Sequence, residues 1–518
     1  MTIRSFVSIA RRTRFAPLVL PFVLFGVRPV AQDSLQLSDG RFVLDKRMSV
    51  VDDGVVVHFE HGDVKVPKAL VKACTSSGTA EKDDWTPDER AKLDKGLVPF
   101  EGKWVPKDRR DKELERRRAQ REERIAKSRD LREWRNHAVL KTKNFEFHFT
   151  IDPDVMEGYA ELMETYFREF TREWGITKPP KVDRLKVCFF HDEEYFHQVG
   201  GASEGVIGYY RFVEPRELNF FYDRLDQDMT VDVMFHETNH YLTHLIDLKF
   251  HYPPWVNESL AEYYGASQWD PEAKKMTIGN LQEGRLAVIQ DAIKSDEWQG
   301  LEDLIRIEHG QFNALHYAWG WSFVHFLLSN PRYSKGFKSF YMALAREKSV
   351  KRVPYFYDLK QVEADEQIRV LKASLRVDDL ATLEKEWHDY VKGMQAASHR
   401  GYTQAGHIAL ARGMPIKAQR LFKTAIEMGA TDPRAHYGYG RALEQKGKRD
   451  EALAQYDRAI AIDPLEGMFY VRKAECLGRG DDKTNEKEIE RLFALAEEIA
   501  PDAYDVMLAK AMWQFRGK

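Results

Sequence analysis

The sequence predicts an α+β chain in several parts: a small N-terminal β unit and charged helix, then a domain with a mixed sheet, then an α-helical solenoid. Three observations predict it. Short β-branched runs broken by Asp-Gly and His-Gly turn signals fill residues 38–72. Strand-like and helix-like periodicities alternate from about residue 141. Past residue 400 small and aromatic residues recur with a period of 34.

Composition narrows the function classes. Of 518 residues, 79 are basic and 82 acidic, a net charge of −3 that gives no whole-chain reason to expect nucleic acid as a partner. The three cysteines, Cys74, Cys188 and Cys476, are too few and too scattered for a disulfide framework or a cysteine-rich zinc module.

Residues 1–31 have the layout of a signal peptide: basic Arg4, Arg11, Arg12 and Arg14, the apolar run FAPLVLPFVLFGV, then Ala31 before the expected cut. That predicts export, to a periplasm, a cell surface or the medium. No later apolar run is long enough to span a membrane, so the mature chain is expected to have no membrane span. Residues 38–106 form the β-rich region, with a second hairpin expected in LVPFEGKWVP around Glu101-Gly102. Residues 107–136 read as a charged helical spacer: 107–135 hold 13 Lys/Arg and 8 Asp/Glu, with no Gly or Pro and no heptad seam.

The next domain is expected over 141–400. KNFEFHFT alternates as a strand, and the helix over 155–175 stops at Gly175. RLKVCFF, GYYRF and ELNFFY read as three more strands. TVDVMFHETNHYLTHLIDL (230–248) reads as a helix, with Asp228 or Thr230 as its cap.

That helix carries HETNH at 236–240. His236 and His240 are one turn apart, so both imidazoles leave the same side and can share a metal ion. Glu237, about 100° around the axis, is placed to reach a water without being a ligand. A catalytic zinc needs a third protein ligand and an open position. WVNESLAEYY (255–264) offers one in Glu258, 18 positions after His240, with Glu262 one turn further on the same face.

Taken together, HETNH and WVNESLAEYY resemble the gluzincin metallopeptidases, the thermolysin and zinc-aminopeptidase superfamily. The matched residues are Trp255, Val256, Asn257, Glu258, Ala261, Glu262 and Tyr263; Ser259 stands where that superfamily usually has glycine. The resemblance implies Zn²⁺ held by His236, His240 and Glu258, and Glu237 as general base. Glu262 would accept a hydrogen bond from a ligand histidine. It also implies that ELNFFY is an edge strand pairing with extended substrate. For the oxyanion donor it points to Tyr317, in the helix HYAWGWSFVHFLL, with His316, Tyr209 and Tyr210 as alternatives. His244 is a surface or packing histidine: the metzincin pattern would need its third ligand at position 246, which is Ile. Asn239 is expected to face away from the metal and to be neutral.

Residues 401–505 resemble tetratricopeptide repeats. Tyr402 aligns with His436, Gly406 with Gly440, Ala418 with Ala452, Phe422 with Tyr456 and Ala425 with Ala459. A third copy follows with a three-residue insertion, placing Phe493, Ala496 and Pro501. Two functions from different classes follow. One is an exported zinc peptidase acting on a peptide or protein substrate, an endopeptidase because no GxMEN-type segment is present. The other is a repeat scaffold that binds a protein partner, its zinc domain degenerate or structural.

Overall fold

The computed structural model describes residues 34–516 apart from 39–40, 45, 76–85, 101–102, 204, 271–272, 274, 480–484 and 502. The signal-peptide segment and the Glu101-Gly102 turn lie outside the described residues.

The β region begins at β1 (Ser34–Leu37), earlier than expected. β1 pairs with β2 (Phe42–Leu44) on one side and β6 (Val71–Thr75) on the other. Between them β3 (Arg47–Val51), β4 (Gly54–Phe59) and β5 (Gly62–Pro67) make an antiparallel meander. Its inward positions Val55, Val57, Val64 and Val66 are buried, as period-2 alternation requires. Helix α1 (Pro87–Leu93) starts with a capping box in which Thr86 and Glu89 satisfy each other's backbone N–H groups. β7 (Leu97–Phe100) and β8 (Lys103–Pro106) form the second hairpin, followed by the charged helix α2 (Lys107–Arg132).

Next comes a five-stranded mixed sheet. Its strands are β9 (Ala138–Lys141), β10 (Phe145–Phe149), β11 (Leu185–Phe190), β12 (Gly208–Arg211) and β13 (Glu217–Phe221), in the order β12-β13-β11-β10-β9. β10, β11 and β13 are parallel; β9 and β12 run antiparallel at the two edges. ELNFFY therefore does not form the edge. It is flanked by β11 and β12, and its buried Leu218, Asn219, Phe220 and Phe221 suit an interior strand. The edge beside the HETNH helix belongs to GYYR.

Helix α3 (Pro153–Trp174) has Asp152 as its cap and Gly175 in the left-handed conformation (φ 61°) as its stop. The short α4 (Glu193–Gln198) follows β11. Helix α5 (Gln227–His244) carries HETNH, and its cap is Asp226, whose side chain accepts from Met229 N–H. The two expected caps are used elsewhere: Asp228 pairs with Arg400, and Thr230 Oγ1 accepts from Asp223 N–H at 2.8 Å. Helix α6 (Pro254–Gly265) carries Glu258 and opens with Pro at its first position. After the small hairpin β14 (Gln268–Asp270) and β15 (Lys275–Thr277), a helical layer follows. Its members are α7 (Glu283–Lys294), α8 (Leu301–Arg306), α9 (Ala314–Ser329), α10 (Ser334–Arg346), α11 (Ala364–Leu375) and α12 (Leu380–Lys392).

The repeats are helix pairs. These are α13 (His399–Ala411) with α14 (Pro415–Glu427), α15 (Pro433–Gln445) with α16 (Arg449–Ile462), and α17 (Gly467–Gly478) with α18 (Glu486–Ile499). A last helix, α19 (Tyr504–Arg516), follows. The aligned small residues explain the period. A Cβ on Gly406 would come within 2.7 Å of the Phe422 ring, and one on Gly440 within 2.6 Å of the Tyr456 ring. Only glycine lets these two pairs close this tightly.

Compactness divides the described chain at other places than the sequence segments. One unit takes in Trp134–Ala430, so the first repeat pair belongs with the metal-motif domain. The other joins the N-terminal segment up to Glu133 with Thr431 onward. There Glu498 of α18 accepts from Glu60 N–H at 2.9 Å, His61 N–H at 3.0 Å and Lys46 Nζ at 3.2 Å, and also meets His61 Nδ1. Arg41 reaches Asp463 at 2.7 Å.

Candidate metal centre

α5 and α6 are fixed before any ligand is considered. Asn239 is buried and donates to Tyr166 Oη of α3 at 2.9 Å, so it is a structural anchor rather than a neutral position. Around it Tyr166, Phe170, Phe235 and Tyr264 stack edge and face. Full burial of each such ring contributes about 1.5–3 kcal/mol. Trp174 Nε1 donates to Tyr264 Oη at 2.7 Å. On α6, Trp255 Nε1 donates to Gln367 Oε1 at 2.8 Å. Ser259 turns its hydroxyl back onto Trp255 O and fills space that Gly320 of α9 leaves open. The departure from the superfamily glycine is thus matched by a glycine on the facing helix.

With the helices so placed, three donors converge. His236 Nε2 lies 3.3 Å and His240 Nε2 3.5 Å from the same oxygen, Glu258 Oε2. Ligands at zinc–donor distances arranged tetrahedrally stand about 3.3–3.5 Å apart, so this spacing suits one ion among the three atoms. The charge suits it too. Glu237, Glu258 and Glu262 are 9%, 7% and 5% exposed, and Arg285 is the buried guanidinium beside them. Three carboxylates against one guanidinium leave two negative charges, the complement of a divalent cation.

Glu262 Oε1 sits 3.4 Å from His236 Nδ1 and takes both arms of Arg285, at 2.6 and 2.8 Å. It thus fixes the His236 ring through its distal nitrogen. His240 Nδ1 has no such partner among the described residues. Burial alone would lower His236, but the hydrogen bonds it donates to Glu258 and Glu262 outweigh it and raise the imidazole to about 10. Burial would raise Glu258, yet His240 and His236 hold it well below the ordinary carboxylate value. Glu262 is likewise drawn down to about 2 against its burial, by Arg285 and His236. The site attracts cationic charge.

Glu237 behaves differently from the other two acids. Burial raises its pKa, the two histidines only partly offsetting this, and Tyr210 N–H of β12 donates to its carboxylate. β12 runs close enough that a Cβ on Gly208 would come 2.6 Å from Val233 Cγ1 and 3.1 Å from Glu237 Cγ. The edge strand and the candidate base are therefore one construction.

The four candidate oxyanion donors separate cleanly. The Tyr317 ring lies 6.2 Å from that of His236. Tyr209 donates to Gly200 O at 3.2 Å, and Tyr210 Oη meets His244 Nδ1 at 3.0 Å. His316 closes the capping box of its own helix with Asn313. His244 is buried between Tyr210 and Leu248 O, a packing histidine that burial pushes down to about 4.

Arg285 was not foreseen from the sequence. A single arginine inside EGRLAVIQDAI, on a helix whose Leu286, Ala287, Val288 and Ile289 are all buried, was the available signal. Arg412 and Gly208 gave none.

A tetratricopeptide-repeat family model matches residues 403–466. This stretch is a tetratricopeptide repeat. Among solved structures the chain is similar to that of YrrB, described as a TPR protein with an unusual peptide-binding site. The identity is 16% and the TM-score 0.22, over 44% of this chain and 99% of that one. None of the curated proteins matches. The family match does not reach HETNH or WVNESLAEYY, so a peptidase core rests on the geometry of the site alone. No helix among the described residues is long and apolar enough to cross a membrane.

Proposed function

We propose that the chain is a zinc-dependent peptidase. One observation carries the reading: His236, His240 and Glu258 converge on a single point beside a buried glutamate that is not among them. A merely structural ion has no use for Glu237. Zinc bound there would supply Lewis-acid polarisation of the scissile carbonyl and of the attacking water. His236, His240 and Glu258 would hold it, and Glu262 with Arg285 would orient His236. Glu237, its pKa already raised by burial, accepts the proton from the water and delivers it to the leaving nitrogen. Tyr317, whose ring lies 6.2 Å from that of His236, would donate to the developing oxyanion. The β12 edge passes the base at Tyr210, which favours binding of extended substrate backbone along it. Metal analysis should find about one zinc per chain. Cleavage of a peptide library should fall by roughly 10²–10⁴-fold in Glu237→Gln with zinc retained; cleavage unchanged in that variant overturns the mechanism.

The repeat match favours a second role, the binding of a protein partner, and the comparisons support this role better than they support catalysis. Affinity capture should use the full chain, because the first repeat pair belongs with the metal-motif unit. A partner retained equally by wild type and Glu258→Ala supports it; no retained protein overturns it. Export completes the proposal, and a mature N-terminus just after Ala31 by mass spectrometry would support it.

A further inference from the structure

The first repeat pair contributes more than packing. α13 packs on α7, the helix that carries Arg285, within one compact unit. The turn after α13 is held by Gly413 in the left-handed conformation (φ 67°), and Ala411 O approaches Gly205 in the loop before β12. This turn presents Arg412. Its Cζ lies 5.6 Å from the centre of the Tyr317 ring, and Arg285 Cζ lies 5.3 Å from the same ring.

The two guanidiniums are balanced differently. Arg285 commits Nε and Nη2 to Glu262, and its buried Nη1 has no hydrogen-bond partner among the described residues. Arg412 makes no ion pair among the described residues and is exposed. Although it is open to solvent, desolvation by the protein around it, and then Arg285, hold its pKa below the ordinary guanidinium value, against Tyr317 and Glu262. A guanidinium over an aromatic face with no carboxylate paired to it keeps its planar fork available for a carboxylate. One tyrosine ring separates Arg412 from His236. Extended peptide advances about 3.3–3.6 Å per residue, so an anion at Arg412 belongs a few residues from a bond held at the histidines.

We propose that Arg412 is a specificity determinant that binds a carboxylate of the peptide held at the His236–His240–Glu258 site. The repeat array thereby selects the substrate. This rests on the peptidase reading only in taking a peptide as the ligand. The carboxylate is either the chain terminus or an acidic side chain.

The test is binding, read by fluorescence anisotropy with full-length Glu237→Gln protein. The probes are fluorescein-labelled random tetrapeptide pools with a free or amidated C-terminus, each made with or without Asp and Glu. A carboxylate-bearing pool should bind at least tenfold tighter than the neutral one. Adding Arg412→Gln should remove the difference, and Arg412→Lys should restore part of it, since lysine keeps the charge without the planar fork. Loss of preference on amidation assigns the terminus; loss on omitting Asp and Glu assigns the side chain. Equal binding of all pools, no binding at all, or a preference that Arg412→Gln retains overturns the proposal. Cleavage of the same pools by the wild type is scored separately: discrimination without cleavage keeps Arg412 and discards the peptidase.

Discussion

Among the described residues two clusters bring histidine and glutamate within reach of a single ion: His236, His240 and Glu258, and Glu60, His61 and Glu498. They differ in what already faces the carboxylate. Glu498 accepts two backbone N–H groups, a lysine and an imidazole, so its lone pairs are in use. Among the described residues Glu258 faces the two histidine Nε2 atoms alone. The first arrangement is a clasp between the N-terminal meander and α18; the second is a convergent set of metal-ligand atoms. Proximity of residue types does not separate the two, but an account of the hydrogen bonds does.

The largest effect that would break this contrast is on metal content. Glu258→Ala should lose the bound zinc, whereas Glu498→Ala should keep it. Equal loss in both, by atomic absorption, would remove the distinction.

Next is Arg285→Met, which leaves buried Glu262 with His236 but without its guanidinium. It should cost about 3–5 kcal/mol in denaturant unfolding, and loosened His236 should weaken zinc affinity by about 10–100-fold. Unaltered affinity would mean that Glu262 does not orient the histidine.

A smaller effect concerns His244, one turn beyond His240 on the same helix. Carboxylates raise His236, while burial holds His244 near 4, below its ordinary 6.5. The native imidazole therefore stays neutral while the unfolded one gains a proton. Stability should fall as pH drops from 6.5 to 4 and level off below, by about 3 kcal/mol. In His244→Gln that slope should be absent; an identical slope would place the titration elsewhere.

Smallest is Glu498→Ala itself. Losing a partly solvated clasp should cost about 1–2 kcal/mol, read as faster proteolysis of residues 34–75, with hydrolysis unaffected.

What the sequence made legible follows from periodicity. The one-turn spacing of His236 and His240, the 18-residue step to Glu258 and the 34-residue repeat all describe faces of helices, which the chain encodes locally. Strand order is not local: nothing in GYYR or ELNFFY says which is the edge, because that depends on which neighbour each finds. Asp228 was a plausible cap with a better use, its pairing with Arg400 being 172 residues away in sequence. Arg285 reaches the site from a helix that carries no motif, and Arg412 from the turn of a repeat whose motif describes packing rather than the site. The attachment of the meander to α18 depends on a contact 437 residues apart in sequence.

Ser259 and Gly320 share one small volume between α6 and α9. Neither position is free to drift alone. Gly320→Ala should disturb the helix that holds Glu258, and adding Ser259→Gly should recover most of the loss, a coupling that a double-mutant cycle would read directly. Chains that diverge from this one should therefore change the two positions together, and which helix carries the glycine becomes a record of descent.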